Sequence, residues 1–92
     1  MPNELTYEAV KLLARATFER DKGNLQRALE LLDEVIALGD QDESFKREHL
    51  YVIAHIYLYK VHRALGHREE ALDYYLRAIA LGATVEQLTS ED

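Results

Sequence analysis

Part of this 92-residue chain occurs twice. Shifted by 43 residues, Gly23, Ala28, Leu29, Ile36, Ala37, Leu38 and Gly39 fall on Gly66, Ala71, Leu72, Ile79, Ala80, Leu81 and Gly82. That makes seven identities in a 17-residue window, and Glu30 against Asp73 is a conservative eighth match. Glycine adopts the left-handed conformation that commonly closes a helix, so the four glycines, each following an apolar-periodic stretch, read as four helix stops. A duplicated helical hairpin follows. A unit this short cannot cover its own apolar side, so the two copies must shield one another or be shielded by something else.

Each segment carries the helical period. In the first, Leu5, Ala9, Leu12, Leu13 and Ala16 share a face opposite Glu8, Lys11, Arg15 and Glu19. In the second, Leu25, Ala28, Leu29, Leu32, Val35 and Ile36 oppose Gln26, Glu30, Asp33 and Glu34. The third, residues 43–65, is apolar around its axis after Glu48, with Lys60 and Arg63 as its formal charges, and reads as the central helix. The fourth, residues 67–81, places Ala71, Leu72, Tyr75, Ala78 and Ile79 inward. No stretch alternates with period two, so an all-α fold of antiparallel hairpins is expected as one domain over residues 1–92. Hairpin one spans residues 4–38, hairpin two spans residues 42–81, and residues 83–92 form a cap or tail. Asn24 is placed to cap the second helix, and Asp40 and Asp42 to cap the third. Thr84 and Gln87 have capping-box spacing for a last short helix carrying Val85 and Leu88, with residues 89–92 fraying.

Composition narrows the function. With 11 Lys plus Arg against 17 Asp plus Glu, the net charge is −6, and binding to phosphate backbones or anionic lipid would oppose the protein's own field. Neither nucleic acid nor membrane is expected as a partner. There are no cysteines, hence no disulfides and no thiolate chemistry. No apolar run approaches about 18 residues, and residues 1–5 do not begin a secretory signal, so a cytoplasmic protein is expected. A chain of this length hides only roughly 60–65% of its unfolded surface, so a partner would add to its stability.

A search for chemistry returns little. His49, His55, His62 and His67 cluster in sequence, but His55 and His62 sit about 10.5 Å apart along a helix axis, too far to share one tetrahedral ion. The carboxylates fall on solvated faces or at helix starts. Neither Ser44 nor Ser90 has a nucleophile-elbow context, and no glycine-rich phosphate loop is present. No enzyme activity, metal or cofactor is expected. The tyrosines Tyr51, Tyr57, Tyr59, Tyr74 and Tyr75 suit packing that leaves hydroxyls at an interface.

At Leu58, Gly66, Ala71, Tyr75 and Ala78 the second copy resembles the tetratricopeptide repeat family. The first copy keeps Ala16, Gly23, Ala28 and Leu32. Tyr59 stands where the family has a small residue, His55 and His62 replace aromatics, and Ala83 replaces the closing proline. The 43-residue spacing exceeds the family's roughly 34 by nine. With no breaker between Asp40 and Leu50, the third helix is expected to project about 13.5 Å beyond an ordinary repeat.

The resemblance implies hairpins stacked as a short right-handed superhelix whose inner groove is lined by the first helix of each hairpin. The groove positions are then Leu13, Thr17 and Arg20 in copy one and Ile53, Ile56, Lys60 and Arg63 in copy two. An apolar groove with a basic edge suits an acidic peptide or helix of a partner protein. The family's chaperone-tail clamp is not reproduced, because Leu13 and Thr17 occupy clamp positions. The expected function is a non-catalytic protein-interaction or assembly module. The alternative is a structural subunit, a homodimer in which the long third helix forms a bundle with its mate. A closed up-and-down four-helix bundle is a third arrangement, and it requires extensive contact between the first and fourth helices.

Overall fold

The computed structural model describes residues 4–90, which form an all-α chain without strands among them. The elements are α1 (Glu4–Asp21), α2 (Leu25–Gln41), a 3-10 turn (Glu43–Arg47), α3 (His49–Ala64), α4 (Arg68–Ala80) and α5 (Val85–Thr89). Gly23 and Gly66 turn the chain at the tips of the two hairpins with φ of +86° and +78°, a region closed to most L-residues, so α1 runs back against α2 and α3 against α4. Packing of α2 on α3 joins the hairpins, and α3 also touches α1, α4, α5 and the 3-10 turn, which makes it central as its composition suggests. Extended contact between α1 and α4 is absent among the described residues, so the stack is open rather than a closed bundle.

The larger core joins α1 (Ala9, Leu12, Leu13, Ala16), α2 (Ala28, Leu29, Leu31, Leu32, Val35, Leu38), Phe45 and α3 (Ala54, Leu58, Val61). A smaller one gathers Ile56, Ala78, Ala83 and Leu88 under Tyr59 and Tyr75. Each fully buried leucine contributes about 1.5–3 kcal/mol from apolar area removed from water. Small Ala71 and Ala78 let α4 approach α3 closely. The expected inward position of Leu72 and Ile79 is not observed: both are exposed, on the end of the stack that no further hairpin covers.

The nine residues added to the repeat do not lengthen the third helix. They are used in the last residues of α2, the 3-10 turn and an extended Glu48 (φ −77°, ψ 145°) before α3, so α3 has 16 residues and does not project. The break has two causes. Asp42 Oδ1 accepts from the Ser44 amide at 3.0 Å and from the Ser44 hydroxyl at 2.7 Å, a local turn that competes with helix. Phe45 then drops its ring into the core, edge-on to Tyr51 at 6.0 Å between centroids. Asp42 therefore caps the 3-10 turn rather than the third helix, and Asp40 lies within α2.

Gly39 is also not a helix stop. It lies inside α2, where a Cβ would sit 2.8 Å from Tyr51 Cε1 and 3.1 Å from Lys46 Cγ, so it is a close-approach glycine that admits the Tyr51 ring. Its repeat mate Gly82 does end a helix, at φ +104°. Asn24 precedes α2 but makes no side-chain cap. Its Nδ2 donates to Glu19 Oε1 at 2.8 Å and ties the turn to α1 instead. The Thr84–Gln87 capping box is present, and Leu88 anchors α5 by full burial while Val85 is exposed. Glu91 and Asp92 of the expected frayed tail lie outside the described residues.

Candidate functional site

The C-terminal ends of α1 and α3 come together beside α5 and enclose an open groove of about 730 Å³. Its walls are Arg20 and Asp21 of α1, Lys60, Arg63 and Ala64 of α3, and Leu88, Thr89 and Ser90 at the end of α5. Arg20 and Arg63 occupy the last turns of their helices, where the negative end of the helix dipole favours a cation. Each cation is oriented by a neighbour. The Arg20 guanidinium lies over the Tyr57 ring at 5.3 Å, with its Nε 3.8 Å from Asp21 Oδ1. Lys60 Nζ donates to Ser90 Oγ at 2.9 Å, and that hydroxyl donates in turn to the Gln87 carbonyl at 3.1 Å. Arg63 Nη1 reaches the Tyr59 hydroxyl at 3.4 Å. Among the described residues that line it, three cations stand against one carboxylate, Asp21. The groove is a basic pocket whose wall hydroxyls, Thr89 and Ser90, donate to the Val85 and Gln87 carbonyls, so a carboxylate placed there would be met by the three cations.

The residues read from the sequence divide into two groups. Arg20, Lys60 and Arg63 are brought together on this groove. Leu13 is buried in the larger core, Thr17 is half-buried with its Oγ1 donating to the Leu13 carbonyl at 3.0 Å, and Ile53 packs half-buried against the same core. Ile56 is buried in the smaller core with Leu88. The apolar floor expected of the groove is therefore closed, and Leu88 and Ala64 supply what apolar lining it has. Thr89 and Ser90 were missed because α5 comes to lie beside α3 through tertiary packing. The one signal for it was the capping box preceding Leu88.

A second feature runs through hairpin two. Ring contacts connect Tyr51 to His55 (4.7 Å between centroids), His55 to Tyr74 (5.9 Å), Tyr74 to His62 (5.4 Å, planes 8° apart) and His62 to His67 (5.3 Å). His55 is buried and its Nδ1 lies 2.8 Å from the Tyr51 carbonyl, which can only accept, so the Nδ1–H tautomer is fixed. The Gly66 turn folds His67 back on His62, so that their Nδ1 atoms are 3.0 Å apart with one proton between them. A spacing of five residues gives no hint of this, because the contact crosses a turn. Among the described residues no group of three or more His, Asp or Glu is placed to hold a metal ion.

These histidines make stability depend on pH. Burial pushes the pKa of His55 below its ordinary 6.5. Burial, then repulsion from a charged His67, does the same for His62, while Glu70 and Asp33 oppose the shift. The folded protein thus takes up these protons less readily than the unfolded chain, so the stability present above pH 6.5 is lost as pH falls through that value toward the depressed folded ones. Burial raises the pKa of Asp33 above 3.8, with His62 opposing, and this works in the other direction in a more acidic window. The urea midpoint is therefore expected to be lower at pH 5.5 than at pH 7.5, and the difference should shrink in His55→Gln and His62→Gln. Equal midpoints at the two pH values would contradict this assignment.

Among the described residues no helix is long and apolar enough to cross a membrane. Compared with protein-family models, curated proteins and solved structures, the chain matches none.

Proposed function

We propose that the protein is a non-catalytic, cytoplasmic interaction module of the tetratricopeptide-like class that holds an acidic segment of a partner protein in the groove between α1, α3 and α5. The observation that carries this reading is the convergence of Arg20, Lys60 and Arg63 on one open groove in a protein whose net charge is −6. Such a local reversal of sign attracts carboxylates selectively, since the surrounding surface repels them. Nucleic acid and lipid surfaces, which present far larger arrays of negative charge, would meet the repulsive remainder of the surface as well.

A labelled Asp/Glu-rich peptide is expected to bind with an affinity that falls as salt rises, measured by fluorescence anisotropy. Lys60→Glu combined with Arg63→Glu should weaken it about tenfold or more, equivalent to about 1.4 kcal/mol or more, and reverse the sign of the salt dependence. Unchanged affinity and salt dependence in the double variant would refute the groove assignment.

A further inference from the structure

Arg68, Ala71, Leu72 and Tyr75 fall at the three- and four-residue spacings that place them on one stripe of α4. Tyr59 and Arg63, one turn apart on α3, stand across from this stripe, and between the two helices beside the Gly66 turn lies a second open cavity of about 580 Å³. Small-molecule sites commonly have volumes of roughly 300–1,000 Å³. The wall is apolar and aromatic: Ala71 is buried, the half-buried Tyr59 and Tyr75 rings meet edge-on at 5.4 Å between centroids, and Leu72 adds an exposed apolar side chain. The charge is all of one sign. Exposed Arg63 and Arg68 line the cavity, and among the described residues no carboxylate does. The carboxylates of α4 take no part, since Asp73 Oδ2 pairs with Arg77 at 3.0 Å, Glu70 acts on His62, and Glu69 is not in the lining. Arg63 Nη1 meets the neutral Tyr59 hydroxyl at 3.4 Å, and neither guanidinium forms an ion pair among the described residues.

We propose that this cavity binds a small aromatic carboxylate, its ring against Tyr59, Tyr75 and Leu72 and its carboxylate held by Arg63 and Arg68. Each half of such a ligand answers a separate feature of the site. A flat ring placed beside the two tyrosines removes apolar area from water and adds edge-to-face contact. A carboxylate offers two oxygens to two guanidiniums, and charge-assisted hydrogen bonds are about twice as strong as neutral ones. A neutral aromatic leaves both cations unmet, and a bare carboxylate leaves the apolar wall in water. The site therefore selects molecules that carry both. Arg63 borders this cavity and the acidic-segment groove alike, but the groove's Arg20 and Lys60 have no part here. The two readings can fail separately.

Titrating the isotope-labelled full chain with naphthoate, followed by backbone amide chemical shifts, tests it. Saturable shifts are expected at Gly66, Arg68, Ala71, Leu72 and Tyr75. Naphthamide, the neutral isostere, and acetate, which has no ring, should each bind about tenfold more weakly or worse. Arg68→Gln and Leu72→Ala should each weaken naphthoate about threefold or more, whereas Arg27→Gln, which removes the same charge from α2, should leave it unchanged. All three side chains are exposed, so the fold is retained, as unchanged circular dichroism would verify. No saturation at millimolar naphthoate, shifts centred on other residues, equal binding of naphthamide, or indifference to Arg68→Gln would each overturn the proposal.

Discussion

Phe45→Ala is expected to lower the stability of the whole domain by about 3–5 kcal/mol, the range for removing a buried aromatic ring. Phe45 is almost fully buried, is the one large side chain that the 3-10 turn sends into the core, and meets Tyr51 edge-on. Its loss would open a cavity where α2, the turn and α3 converge, and free the connector that sets where α3 begins. Small domains hold only about 5–15 kcal/mol in total, so this single change consumes a large share. Each kcal/mol corresponds to a Tm shift of roughly 4–8 °C at this size, and thermal unfolding followed by circular dichroism reads it directly. A fall in Tm of only a degree or two would mean that the connector is not anchored by this ring.

Leu58→Ala should cost about 2–5 kcal/mol, while Leu72→Ala should stay within about 0.5 kcal/mol. The two leucines belong to the paired helices of one hairpin, and Leu58 is fully buried in the larger core while Leu72 is mostly solvent-exposed. Identical chemistry is deleted in each, so the difference isolates burial. Urea unfolding measures both, with a lower midpoint for Leu58→Ala. Comparable losses at the two sites would place the Leu72 side of α4 inside the folded core and contradict the open stack.

The hairpins were readable because their signals are local. Gly23 and Gly66 need positive φ wherever they stand, the inward faces of α1 and α2 follow from a period of 3.6, and the Thr84–Gln87 box acts within four residues. The break between α2 and α3 was not readable as a break. Residues 43–48 carry four charges and lack Gly or Pro, and what ends the helix there is the burial of one ring, a tertiary event, helped by an Asp42–Ser44 turn. Gly39 shows the same limit: its match to Gly82 suggested a stop, but the approach of Tyr51 keeps it helical. Leu72 and Ile79 lie on a face that periodicity marks as apolar, and periodicity does not say whether another helix arrives to cover it. At the groove, the cations were accessible only through the tetratricopeptide resemblance, which puts groove positions on the first helix of each hairpin, where Lys60 and Arg63 are three residues apart on α3 and Arg20 ends α1. The floor was not, because Ile56 and Leu88 close over one another once α5 docks.

The most direct test of the groove as a receptor for acidic segments is a residue-resolved titration of the isotope-labelled chain with an Asp/Glu-rich peptide, followed by backbone amide chemical shifts. The expected result is saturable shifts at Arg20, Asp21, Lys60, Arg63, Ala64, Thr89 and Ser90, diminishing with added salt. Shifts confined to the α4 stripe or the acidic face of α2, or none at millimolar peptide, would contradict it.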